Sequence, residues 1–324
     1  MQKMTIPGIF DDNAQNHPAI ATRICTKSSP GQQPLFFIGS SPSQAAAIVS
    51  PKHPADGVMV SANALRTRKS NFLVDDWILD SGAFTEVAKH GGYRHGVEEY
   101  WFQIKRWSMC GNLLIAVSQD WMCEPFVLER TGLTVADHQR LTIERYDQLA
   151  RFKPPVPIMP VLQGYRISEY LQHLADYGDR LQPGQWVGVG SVCKRNGRPD
   201  EIADLLKSIK LIRPDLRLHG FGLKVLALEN TEVRSLLYSC DSMAWSYPRK
   251  FQEKPEPEIL LAHQYQEKIH ARVTDNAQKR IPRTAGAGNG QGRKPKWKSP
   301  TTSIRVPKKY AQRLLAIARS WEDS

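Results

Sequence analysis

Short apolar runs bounded by Gly, Pro, Asn, Asp or Ser alternate along this chain with longer stretches in which apolar positions recur every three to four residues. The first kind of pattern predicts buried strands and the second amphipathic helices. Strands are expected at Pro34 to Ser40, Gly57 to Ala62, Trp77 to Asp80, Asn112 to Ser118, Pro157 to Gln163, Trp186 to Ser191, Arg217 to Gly222 and Ser239 to Trp245. Helices are expected between them, at Val97 to Met109, Val135 to Arg151, Ser168 to Tyr177, Pro199 to Ile212 and Glu229 to Leu237, with Pro or Gly often marking their ends. Strand-helix alternation implies a parallel sheet, and a count of eight strands implies closure as an α/β (β/α)8 TIM barrel. The alternative is an open doubly wound sheet, but the chain has no GxGxxG or GxxxxGK[ST] pattern to support a nucleotide-binding fold.

After the eighth run, Pro248 to Pro257 reads as a loop and Glu258 to Arg272 as a helix, so the barrel domain is placed at residues 34–275, behind an N-terminal segment 1–33. Residues 276–300 read as a basic flexible linker, with Gly286-Ala287-Gly288-Asn289-Gly290-Gln291-Gly292 at its centre and Trp297 inside a cationic patch. In the last segment, residues 301–324, Thr301 to Val306 alternates polar and apolar positions, and Pro307 to Trp321 places Tyr310, Leu314, Ile317 and Trp321 on one helical face. This tail resembles half of a ribbon-helix-helix DNA-binding unit, its strand and first helix. A helix that docks on the barrel accounts for the same amphipathic stripe equally well.

Charge sharpens this division. From Asn276 to Ser324 there are twelve Lys and Arg against Glu322 and Asp323, a net +10 of the chain's +12, which leaves +2 for residues 1–275. A cationic segment this concentrated favours a polyanion through counterion release. Nucleic acid is expected rather than membrane, because no run approaches the ~18 apolar residues of a membrane span. Cys25, Cys110, Cys123, Cys193 and Cys240 form no CxxC pair or Cys/His cluster. A soluble cytoplasmic protein with reduced thiols and no metal site is expected.

Candidate chemistry sits at the strand ends. Asp80-Ser81-Gly82-Ala83-Phe84 follows Trp77-Ile78-Leu79, and Asp241 ends the run from Ser235 to Cys240; the other tips are Gln119-Asp120, Gln163-Gly164, Gly188-Val189-Gly190-Ser191 and His219-Gly220-Phe221-Gly222. A closed parallel barrel gathers all such tips at one mouth. Two carboxylates there suit displacement at an anomeric carbon: one traps or stabilises the oxocarbenium-like centre, and the other passes a proton to the leaving group. Either aspartate alone could instead be a helix N-cap, a common use of that residue.

The order of these tips resembles that of tRNA-guanine transglycosylases over residues 34 to 250, and within that superfamily the DpdA-type enzymes, which exchange guanine in DNA for a 7-deazaguanine. The resemblance implies that Asp241 is the nucleophile and Asp80 the acid/base. It implies that Phe84 stacks on the base, that Asp120 and Gln163 bond its edge, that Gly190 and Ser191 bring backbone amides to its carbonyl, and that His219 occupies a base-stacking position that is apolar in the family. The structural zinc ligands of the tRNA enzymes, Cys-x-Cys-x2-Cys and a distant His, are absent from this sequence. That absence and the basic tail favour DNA over tRNA. Implied partners are DNA or tRNA and a free base such as preQ0, with room for proteins that open the duplex, and no cofactor. Phosphate contacts are expected from Lys194, Arg195, Arg249 and Lys250 near the mouth and from Arg293, Lys294, Lys296 and Lys298 in the tail. The remaining alternatives are a tRNA-guanine transglycosylase and a non-catalytic nucleic-acid-binding protein on the same barrel.

Overall fold

The computed structural model describes residues 33–48, 56–247 and 257–278. Its strands are β1 (Leu35–Gly39), β2 (Val58–Ser61), β3 (Asp76–Asp80), β4 (Asn112–Val117), β5 (Ile158–Met159), β6 (Val161–Leu162), β7 (Trp186–Val189), β8 (Arg217–Gly220) and β9 (Ser239–Ser242). All pair in parallel, in the order β5-β4-β3-β2-β1-β9-β8-β7-β6. The two ends of this order, β5 and β6, are halves of one stretch split by Pro160. Proline has no N–H to give a ladder, and here the first half pairs with β4 and the second with β7. The order therefore returns on itself as eight strand positions of a nearly closed barrel, each expected run supplying one position.

The helices are α1 (Pro42–Ile48), α2 (Ala62–Leu65), α3 (Val97–Trp107), α4 (Pro125–Thr131), α5 (Val135–Arg151), α6 (Ile167–Tyr177), α7 (Pro199–Ile212), α8 (Val225–Glu229), α9 (Thr231–Leu236) and α10 (Glu258–Gln278). Local chemistry fixes their starts. Thr134 and Asp137 form a reciprocal capping box at α5, and α4 and α7 open with proline, whose missing N–H costs nothing at that position. The helix expected at Glu229 to Leu237 is α9, which starts at Thr231 because the Asn230 side chain accepts from the amides of Glu232 and Val233; the short helix α8 precedes it and was not expected.

Alternation along the strands sorts side chains into two cores. Phe36, Ile38, Val58, Val60, Trp77, Leu79, Val187, Val189, Leu218 and Cys240 pack outward among the helices. Phe37, Met59, Ile78, Val161 and Trp186 fill the barrel interior. Since successive side chains point to opposite faces, Asp80 shares the inward parity of Ile78, Gln163 that of Val161, His219 lies opposite in parity to Leu218, and Asp241 opposite to Cys240. The sequence pattern that builds the barrel thus also turns these polar groups inward at its carboxyl end. Among the described residues no helix is long and apolar enough to cross a membrane.

The last helix runs to Gln278, three residues into the expected linker; residues 279–324, with Arg293, Lys294, Lys296 and Lys298, and also Arg249 and Lys250, lie outside the described residues.

Candidate active site

Asp80 closes β3 beside Ser61, its register partner on β2. Its carboxylate accepts from the Gly82 amide at 3.1 Å and from the Ser61 hydroxyl. Burial, and then the charge of Asp241, push its pKa from 3.8 to about 6, against the pull of those hydrogen bonds. Asp80 and Asp241 therefore feel each other across the mouth, although β3 and β9 are separated by β2 and β1 in the sheet.

Asp241 is held from below. Its Oδ1 accepts from the Gly222 amide at 3.0 Å and lies 3.3 Å from His219 Nε2. Gly222 has φ +63, so the turn that aims its N–H at the carboxylate is one that glycine adopts without strain. The fully buried His219 continues inward: its Nδ1 is 2.8 Å from Ser239 Oγ, which accepts from Trp186 Nε1 at 2.7 Å. A hydroxyl has one proton. A carboxylate only accepts, so the contact with Asp241 calls for the ring N–H on Nε2, and in that tautomer Nδ1 accepts the Ser239 proton while Ser239 Oγ accepts from Trp186. The Trp186-Ser239-His219 chain was not legible in sequence, where Ser239 and Trp186 read only as strand residues.

The opposite wall carries a second network. Gln163, buried, donates from Nε2 to Asp120 Oδ2 at 2.5 Å and accepts at Oε1 from Ser191 Oγ at 3.1 Å. Its backbone is fixed as well, by His173 Nδ1 at its amide (2.9 Å) and Gln139 Nε2 at its carbonyl (2.7 Å). Burial raises the Asp120 pKa to about 7; the Gln163 bond opposes this, and the Asp80 charge adds to it. Gly190 leaves room for Gln163, since a Cβ at that position would sit 2.2 Å from Gln163 Nε2. The Gly190 amide is committed to the Leu162 carbonyl at 2.9 Å. Ser191 stands in the left-handed region with φ +61, a strained conformation for a non-glycine residue and one that clusters at functional sites.

Phe84 opens a π-helical turn, Phe84–Lys89, at the lip of the mouth, with its ring exposed and Lys194 Nζ 5.2 Å from the ring centre. Arg195 is buried instead of facing outward. Its guanidinium donates to the Tyr165 carbonyl and lies 3.5 Å from the Tyr170 hydroxyl, so it braces loops rather than offering a free cation. Glu124, unremarked in the sequence, is also buried here; burial raises its pKa, while the Ser191 hydroxyl and the nearby Lys194 and Arg195 charges oppose the rise. Its Oε2 has no hydrogen-bond partner among the described residues. Only its position directly after Cys123 in a strand-end loop hinted at it.

The structure thus brings Asp80, Asp241, Asp120, Gln163, Ser191 and His219 to the carboxyl end of one barrel. Among the described residues, no group of three or more His, Cys, Asp or Glu side chains is arranged to hold a metal ion. Cys110, Cys123, Cys193 and Cys240 are free thiols. No curated protein matches the chain. The family model for DpdA, deoxypurine in DNA protein A, matches residues 57–263, which is more than half of the chain and contains every one of these side chains. The chain belongs to the DpdA family.

Proposed function

We propose that this protein is a DNA-guanine transglycosylase that replaces guanine with a 7-deazaguanine, such as preQ0, through a glycosyl-aspartate intermediate. The observation that carries the reading is the pair Asp80 and Asp241: two inward carboxyl groups at one mouth, held in different environments and coupled in charge.

Asp241 attacks C1′ of the deoxyguanosine, the C1′–N9 bond breaks, and its electron pair leaves with the purine. Asp80 gives the purine a proton, which avoids release of a guanine anion. Burial and the facing Asp241 charge raise the Asp80 pKa to about 6, which favours its protonated form relative to an exposed carboxyl and suits it to act as an acid regenerated in each cycle. The incoming base then gives its N9 proton back to Asp80 and bonds to C1′, while the C1′–O bond to Asp241 breaks. Two displacements retain configuration. Protons and charges balance without a redox or nucleotide cofactor.

Gln163 orients Asp120, whose carboxylate accepts from the N–H groups on the purine edge, and Phe84 covers the base face. Donors from Gly222 and His219 fix Asp241 and offset its charge. The base must leave its stack to reach this mouth. Lys194 and the cationic tail supply phosphate contacts that help offset that cost.

Release of label from guanine-labelled DNA and from labelled tRNA, with a 7-deazaguanine added, tests the reading. Release from DNA alone, abolished in Asp241→Asn, is expected. Release from tRNA alone points to the tRNA enzyme, and no release from either to a binding protein.

A further inference from the structure

The segments that follow the barrel strands carry exposed aromatic rings, and the reaction accounts for Phe84 alone among them. Phe84 follows β3, Phe126 follows β4, Tyr165 follows β6 and Tyr247 follows β9; these rings are between 39% and 59% exposed. Each lies against a cation. Lys194 Nζ is 5.2 Å from the Phe84 ring centre and 5.1 Å from that of Phe126, the Arg195 guanidinium is 5.2 Å from Tyr165, and Lys224 Nζ is 5.8 Å from Tyr247.

Single exposed apolar side chains are ordinary, so their distribution decides. The most exposed aliphatic residues, Leu73, Met109 and Leu211, precede β3, β4 and β8, at the other end of the barrel. Two exposed rings away from the mouth, Phe102 and Phe152, pack on Trp101, with ring centres 4.7 and 5.5 Å away. Among the described residues, exposed rings meet cations only in the segments that follow β3, β4, β6 and β9, at the end of the strands where Asp80 and Asp241 lie.

A ring beside a positive charge matches one nucleotide of an unpaired strand, because the ring takes the base face and the cation takes the phosphate. A duplex offers its phosphates but hides its base faces within the stack, so it leaves such rings without a partner. We propose that the mouth rim is a binding surface for unpaired DNA, on which bases flanking the target stack on Phe126, Tyr165 and Tyr247 while Lys194 and Lys224 meet their phosphates. The protein thereby takes its target from a single-stranded or locally melted segment. This rests on the DNA reading above and goes further in stating the strand state of the substrate.

The test measures binding separately from turnover. The full-length Asp241→Asn protein is titrated by fluorescence anisotropy with a single-stranded oligonucleotide and with the same sequence as duplex. The single strand is expected to bind at least about tenfold more tightly, and Phe126→Ala and Tyr247→Ala added to that protein are each expected to weaken single-strand binding about tenfold while changing duplex binding little. Phe102→Ala, on an outer helix, serves as the folding control and is expected to change neither affinity. Equal affinity for the two forms, or single-strand binding unchanged in both rim variants, overturns the proposal. If guanine exchange fails in the parent protein while the single-strand preference and its loss in the rim variants hold, the chemical reading falls and the rim assignment stands.

Discussion

Replacing Asp80 by Asn is expected to stabilise the fold while it removes the chemistry. The native carboxyl titrates at about 6 against an ordinary 3.8, first because it is buried and second because Asp241 faces it. The folded state therefore holds the Asp80 proton more tightly than the unfolded chain does. The resulting stability is complete below pH 3.8 and is lost as pH rises to about 6. At about 1.4 kcal/mol per pKa unit, ionised Asp80 costs the native state about 3 kcal/mol at pH 8. Asn escapes this cost and still accepts from the Gly82 amide through its carbonyl. In a barrel of this size the difference corresponds to a rise in melting temperature of roughly 6 to 12 °C. The assay is urea or thermal unfolding of both proteins at pH 4, 5, 6, 7 and 8. The gap should be small at pH 4, widen to pH 6 and then level off, while base exchange drops by about 10²-fold or more. In an Asp241→Asn background the gap should narrow without closing, because burial is the larger cause. A gap independent of pH, or a less stable Asn variant, refutes the assignment of Asp80 as a carboxyl strained by its site.

Two further substitutions probe the walls of the mouth. His219→Phe keeps a ring in the core but removes the donor to Asp241 and leaves Ser239 and Trp186 without that link; exchange should fall about 10-fold to 100-fold and its pH profile should shift, whereas a merely structural His219 would lower stability and leave the profile in place. Gly190→Ala brings a methyl group against Gln163, at 2.2 Å from its Nε2 in the present geometry; Gln163 must move off Asp120, and KM for the incoming base should rise about tenfold or more, as read by initial rates over base concentration.

The barrel was legible in the sequence because its signal is local. Each buried strand is a short apolar run, and each run ends where a loop begins, so Asp80 and Asp241 stand out as polar residues at the end of apolar stretches. Inward parity followed from the same alternation. What was not legible depends on pairings between distant strands: Trp186 meets Ser239 across 53 positions of sequence, and His219 meets Asp241 across 22. No local pattern marks such contacts. His219 read as a base-facing position, yet it is fully buried, with its Nε2 3.3 Å from Asp241 Oδ1. Arg195 read as a phosphate contact because charge is visible in sequence and burial is not; its long side chain turns inward to Tyr165 and Tyr170. Pro160 was visible, but that it divides one strand between two neighbours follows only from closure of the ring.

The proposed reaction passes through a bond between Asp241 and a sugar carbon. Acid quenching of the protein with a guanine-containing single strand, without an incoming base, followed by proteolysis and mass spectrometry, examines that bond directly. The expected result is a nucleotide adduct on the peptide that contains Asp241, absent from Asp241→Asn and chased away by added 7-deazaguanine. An adduct on a different residue, or base exchange that proceeds in full with Asp241→Asn, would contradict the account.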